Sequence, residues 1–276
     1  MFPKSPLGHL GTYHAMNILD KIIEYKKREI EKNKKNISID ELKQSQFYDR
    51  DTLSLKQFLL DKTKTGIIAE FKRRSPSKGI INDRVAVAEV TAAYADNGAS
   101  CLSVLTDMEF FGGSAEDLRK ARINQVPILR KDFIIDEYQV TEAKAMGADV
   151  ILLIAACLTP ARVKDLALCA KNLQLEVLLE IHHEEELQHI CDDADLIGVN
   201  NRDLKTFTVD INRSIELSKK IPVGKIKIAE SGIDNVGMIK IFKDAGFKGF
   251  LMGEKFMKTE DPGEAFKQFV QKLKQP

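Results

Sequence analysis

An apolar run that ends in charge opens the segment "IIAEFKRRSPSKG", residues 67–79. Alternation with period two puts Ile68, Glu70 and Lys72 on one face, and Ile67, Ala69 and Phe71 on the other. A carboxylate beside an amine keeps the amine charged, and the pair is suited to proton transfer. The same arrangement recurs along the chain. Lys131 follows Leu129 in phase in "PILRKDFIID", with Phe133 next on that face, and Glu180 follows Leu178 in "LLEIHHEEEL". Asn200 and Arg202 follow Gly198 in "GVNNRDLKTF", and Glu230 precedes Ser231-Gly232 in "IAESGI". Together these groups could carry out general acid–base chemistry on a carbonyl or hydroxyl. Gly232, and Gly253 in "GFLMGEKFMK", would let backbone N–H groups approach an anion, unless they serve only tight turns.

Such side chains need a scaffold that brings distant strand ends to one place. Apolar or β-branched runs occur at "GIIAEFK", "ASCLSVLT", "VPILRKDF", "ADVILLIA", "LEVLLEI", "DLIGVNN", "KIKIAES" and "KGFLMG". Helical patterns such as "DRVAVAEVTAAYADNG", "DEYQVTEAKAMG" and "TPARVKDLALCAKN" lie between them, and "IDNVGMIKIFKDAG" ends in Gly246, a C-terminal cap. Alternation of this kind predicts parallel βαβ units, and eight strands close a (β/α)8 TIM barrel of about 250 residues. An open doubly wound sheet is the competing α/β architecture, but no GxGxxG follows the first run. In the barrel, active sites lie at the C-terminal strand ends, with phosphate at the loops after strands seven and eight. The fourth run offers only Leu152 and Ile154 there, and the second leads into Phe110-Phe111. Helical residues 17–62 precede the first strand and are expected to cap or flank the barrel.

Composition bounds the rest. The chain has 276 residues, 43% hydrophobic and 30% charged, with a net charge of +1. The mixed charge gives no footprint for nucleic acid or an anionic membrane. No apolar run approaches the roughly 20 residues of a membrane-spanning helix. Cys101, Cys157, Cys169 and Cys191 are widely spaced and read as reduced thiols of a cytoplasmic protein. The opening "MFPKSPLGHLGTYHA", residues 1–15, lacks a signal-peptide core. It is set aside as a disordered leader or expression remnant, or a natural extension, leaving residues 16–276 as one domain.

Plainer readings apply to several residues. Any single acid or lysine could be a rim salt bridge, and Arg73 and Arg74 read as solvated loop charges. His182, His183 and His189 in "HHEEELQH" invite a metal site, but no HExxH or comparable ligand spacing is present, so none is expected. The acids there suit the start of a helix after the fifth strand.

"IIAEFKRRSPSKG" resembles the signature of the indole-3-glycerol phosphate synthase family. "PILRKDFIID", "LLEIHHEEEL", "GVNNRDLKTF", "IAESGI" and "GFLMGEKFMK" resemble its other blocks in order, from about Asn17 to the C-terminus. The resemblance implies a phosphate-binding barrel of tryptophan biosynthesis that uses no cofactor. Its substrate would be the phosphosugar 1-(2-carboxyphenylamino)-1-deoxyribulose 5-phosphate, closed to indole-3-glycerol phosphate with loss of CO2 and water. On that basis Lys131 matches the general acid for ring closure and Glu180 the catalytic glutamate of dehydration. Glu70 and Asn200 match residues that orient hydroxyls and Lys131. Lys72 matches an anchoring lysine for phosphate or carboxylate, with a role as second acid also open. Arg202, Glu230 and Ser231 match polar substrate contacts, and Gly232, Gly253 and Glu254 the phosphate cradle. Many members of the family carry Ser where this chain has Glu254; a backbone contact survives that change, but a hydroxyl contact does not. Phe111, Phe133, Leu152 and Ile154 would floor the aromatic ring, and Ser75-Pro76-Ser77 would begin a loop closing over the ligand.

Two other functions fit the same barrel. One is a Schiff-base aldolase with Lys131 as nucleophile, which needs a depressed lysine pKa. The other is a silent phosphosugar-binding barrel, which would retain the glycines without needing Lys131 and Glu180. The chain is expected to be a monomer, and no docking face for other tryptophan-pathway enzymes is marked in the sequence.

Overall fold

The computed structural model describes residues 17–203 and 208–275, so the leader at residues 1–15 lies outside the described residues. Eight parallel strands form a closed barrel. They are β1 Ile67–Phe71, β2 Cys101–Leu105, β3 Ile128–Lys131, β4 Val150–Ile154, β5 Glu176–Ile181, β6 Leu196–Asn200, β7 Ile226–Glu230 and β8 Gly249–Met252. Each pairs with its successor, and β8 closes on β1 with Ile67 opposite Phe250.

Strand alternation divides the core in two. Ile68, Leu129, Val150, Leu152, Leu178, Leu196 and Ile228 face the barrel axis. Ile67, Ala69, Leu102, Ile128, Leu179 and Val199 face outward and pack under the helices. The inner cluster is apolar and gives way to Glu70, Lys131, Glu180 and Glu230 toward the C-terminal strand ends. Gly246 closes the helix Val236–Asp244 with φ of 86°, a left-handed conformation that glycine adopts at no steric penalty.

Three helices precede β1: α1 Ile18–Asn36, α2 Ile39–Lys43 and α3 Leu55–Leu60. Asn17 starts α1 by accepting from the Asp20 amide at 2.9 Å, and Ile22, Lys26 and Ile30 form its buried stripe. α3 plugs the N-terminal end of the barrel, where Leu55 and Leu59 join the inner cluster. Glu176, the first residue of β5, holds it there by accepting from Ser54 Oγ and the Lys56 amide.

One expected helix is absent. "HHEEELQH" forms a 3-10 turn, Glu184–His189, with Glu186 accepting from the His183 amide at 3.2 Å. Leu187, Ile190 and Cys191 pack on the core here, but the five residues before Leu187 are all polar, so the apolar stripe does not extend over the first turn that an α-helix would need.

Candidate active site

The C-terminal strand ends surround a cavity of ≈ 350 Å³. Its walls contain every residue given a place in the site from the sequence: Glu70, Lys72, Ser75, Phe111, Lys131, Phe133, Leu152, Ile154, Glu180, Asn200, Arg202, Glu230, Ser231, Gly232, Gly253 and Glu254. Phe111 and Phe133, with ring centroids 6.1 Å apart, line it together with Leu152 and Ile154.

Lys131 is the hub of the site's charge. Its Nζ lies 3.1 Å from Glu180 Oε2 and 3.0 Å from Glu230 Oε2. Burial opposes its charge, but Glu180, Glu230 and Glu70 prevail and raise its pKa above 10.5. The two acids diverge. Burial disfavours charge on Glu180, yet Lys131, His182 and Asn200 hold its pKa below the ordinary range. Glu230 is pushed up to about 7, chiefly by burial and by the neighbouring Glu180 despite Lys131. Asn200 Nδ2 donates to Glu180 Oε1 at 2.9 Å, and Asn200 Oδ1 accepts from the Arg202 amide at 3.0 Å. Lys72 Nζ sits 2.7 Å from Glu70 Oε1, so the pair inferred from alternation is a direct contact. A buried lysine kept cationic among acids carries the proton that a general acid must deliver.

Missing side chains shape the site. A Cβ on Gly198 would lie 2.0 Å from Glu230 Oε1, so this glycine holds the space the carboxylate occupies. A Cβ on Gly253 would lie 2.8 Å from Glu70 Cβ, so Gly253 admits Glu70 besides lining the rim. After β7, Ser231 and Gly232 have φ of 68° and 70°. For Ser231 this is a strained conformation, and Asn201 Nδ2 fixes it by donating to Ser231 O at 2.7 Å. A side chain at Gly232 would meet Val209 Cγ1 at 2.5 Å. Glu254, first residue of the short helix Glu254–Met257, lies 3.6 Å from Arg202 Nη2 and 3.8 Å from Lys78 Nζ.

A profile of the family described as indole-3-glycerol phosphate synthase matches residues 19–269. The chain belongs to that family. It is 47% identical to the indole-3-glycerol phosphate synthase of Bacteroides thetaiotaomicron over 258 residues, 93% of this chain and 99% of that one. It is 43% identical to that of a Polaromonas species over 257 residues, 91% and 97% of the two chains. Solved structures share the barrel at low identity. 3-Hexulose-6-phosphate synthase aligns with a TM-score of 0.59 at 14% identity, over 74% of this chain and 98% of its own. KGPDC from Streptococcus mutans aligns at 0.52 and 15%, over 68% and 92%. At those identities the likeness concerns the fold.

This member of the indole-3-glycerol phosphate synthase family uses residues that sequence reasoning passed over. Ile18, Leu19 and Ile22 of α1 line the cavity, so the first helix is part of its wall. Lys26 fixes that helix: it is 1% exposed, with Nζ 2.9 Å from both Asp107 and Asp132. Within "EYKKREIEKNKKN" it reads as one more solvated lysine, and its place in the stripe of Ile22 and Ile30 was the available signal. Arg73 and Arg74 are half-buried and anchored rather than free loop charges. Arg73 pairs with Asp117 through both guanidinium nitrogens at 2.6 and 2.8 Å, and Arg74 donates to the Met108 and Glu109 carbonyls. Both tie the ribbon formed by Arg74–Ser75 and Gly79–Ile80 to the segment after β2, where the carbonyls belong to the short helix Met108–Phe111 and Asp117 to the helix Ala115–Ala121. Among the described residues, no three His, Cys, Asp or Glu side chains could together hold a metal ion, and no helix is long and apolar enough to cross a membrane.

Proposed function

We propose that the chain closes 1-(2-carboxyphenylamino)-1-deoxyribulose 5-phosphate to indole-3-glycerol phosphate, releasing CO2 and water. The ring carbon bearing the carboxylate attacks the ketone carbon while Lys131 protonates the ketone oxygen. Loss of CO2 returns an electron pair to the ring and restores aromaticity. The new hydroxyl then leaves as water with a second proton, from Lys72, as Glu180 removes a proton from the intermediate. Glu70 and Asn200 orient Lys72 and Glu180, and Glu230 holds Lys131 from the other side. Phe111, Phe133, Leu152 and Ile154 seat the aromatic ring; Ser75, Arg202 and Ser231 supply polar contacts. The amides around Gly232, Gly253 and Glu254 receive the phosphate.

The observation that carries this reading is Lys131 kept cationic between Glu180 and Glu230 at the foot of an aromatic-walled cavity. An aldolase nucleophile needs the opposite, an amine readily deprotonated near neutral pH. On this reading the protein is a monomer acting on a small phosphosugar in the cytoplasm, without nucleic acid or membrane. The test is indole fluorescence on adding substrate to the purified protein, whose sequence contains no tryptophan. No signal, or a ligand adduct trapped on Lys131 by borohydride, overturns the assignment.

A further inference from the structure

Directly behind the cavity wall lies a buried histidine without a part in the chemistry above. His182 is 2% exposed and does not line the cavity. Its Nε2 is 3.2 Å from Glu180 Oε1, and its Nδ1 is 3.6 Å from Glu186 Oε2. These are ion-pair separations rather than formed hydrogen bonds, and among the described residues neither ring nitrogen has a hydrogen-bond partner. Glu186 is itself fixed, since its Oε2 accepts from the His182 and His183 amides. The ring thus stands between two immobilised carboxylates, one of which faces Lys131 on its other oxygen.

We propose that His182 is a positioning residue for the reaction, a cation clamped by Glu186 that holds Glu180 ionised and aimed at Lys131 and the substrate. This rests on the role given to Glu180 above. A neutral imidazole has one N–H, so one of the two carboxylates would face a ring lone pair; the imidazolium presents an N–H to each. Burial works against that charge, but Glu180 and Glu186 raise the pKa to about 9. The groups facing the ring are Glu180, on the strand that His182 directly follows, and Glu186 on the next turn. Cys157, on the turn after β4, senses the same two acids, and burial pushes its thiol up. The His183 ring centroid lies 6.3 Å away. Asn200, from β6, completes the enclosure of Glu180 by donating to the oxygen that also faces His182.

The charge balance gives the clamp a purpose. Among the described residues, the cavity cations in direct contact with Glu70, Glu180 and Glu230 are Lys72 and Lys131, and the substrate adds further negative charge. His182 supplies a third cation where the substrate does not reach. Without it Glu180 would take up a proton more readily, and a protonated Glu180 cannot act as a base.

The test combines His182→Asn with a pH profile of single-turnover indole formation, which is insensitive to product release. The expected result is a rate lower by about 10-fold, from losing one charge-assisted contact, with KM changed little. The acid limb of the profile should move up by about one pH unit or more, from losing a cation within about 4 Å of the acid. A purely structural histidine would lower rate and melting temperature while leaving the acid limb in place, and that outcome overturns the proposal. The ring nitrogens of ligand-free protein provide a readout independent of activity and of the variant's folding. By NMR they should be those of an imidazolium at pH 7.5, with a pKa that falls in Glu186→Gln. A neutral ring at that pH overturns the clamp, whereas wild-type protein giving no indole overturns the reaction assignment instead.

Discussion

Gly198 tests the site without altering a charged residue. Its backbone is ordinary strand, so Gly198→Ala introduces a steric perturbation without forcing a left-handed conformation. The new Cβ would lie 2.0 Å from Glu230 Oε1, while ordinary contact begins at 3.4 Å, so the carboxylate must retreat by about 1.4 Å. Its 3.0 Å contact with Lys131 then stretches beyond hydrogen-bond length. A hydrogen bond to a charged group is worth about 1.5–3 kcal/mol, and loss of that much transition-state support slows turnover roughly 10- to 150-fold. Overpacking should also lower stability by about 1–3 kcal/mol, measurable by denaturant unfolding. The assay is steady-state indole fluorescence for Gly198→Ala and Glu230→Gln in parallel. Both variants should lose kcat with similar KM, since both disturb the same support of Lys131. Activity of Gly198→Ala within threefold of wild type would refute the reasoning. So would a severe loss in Gly198→Ala beside a near-normal Glu230→Gln, because the glycine would then act through something other than this carboxylate.

Lys131→Met should reduce kcat by about 100-fold or more with affinity little changed, and turnover within a few fold of wild type would remove Lys131 from ring closure. Glu180→Gln should slow indole formation more than CO2 release in single-turnover measurements; equal loss of both would place Glu180 in ring closure or geometry instead. A phosphate or sulfate in a crystal should lie about 2.7 to 3.2 Å from the Gly232 and Gly253 amides, and an anion on another rim would relocate the phosphate site. His182 has a folded pKa raised from 6.5 to about 9, so its contribution to stability is full below pH 6.5 and lost as pH rises toward 9. Denaturant midpoints should therefore fall across that window in wild type, and less so in His182→Asn.

Periodicity along the chain already specifies the repeating architecture and the polar strand ends. Alternation with period two places Glu70 on the face of Ile68, and a parallel barrel brings equivalent ends to one rim whatever the loop lengths. Local pattern therefore sufficed to put Lys131, Glu180, Asn200 and Glu230 at the strand ends that line the cavity. Which groups touch across the barrel depends on its closure, because those contacts join residues far apart in the chain. Lys131 pairs with Glu180 on one side and Glu230 on the other, and no local pattern encodes that choice. The same holds for Lys26, whose charge reads as solvent-facing until Asp107 and Asp132 close around it. It holds for Arg73, whose partner Asp117 belongs to the helix following the next strand. Gly198 is the sharpest case. In sequence it is a small residue in a strand; in space it is the volume that Glu230 needs, and only the packed barrel defines that volume.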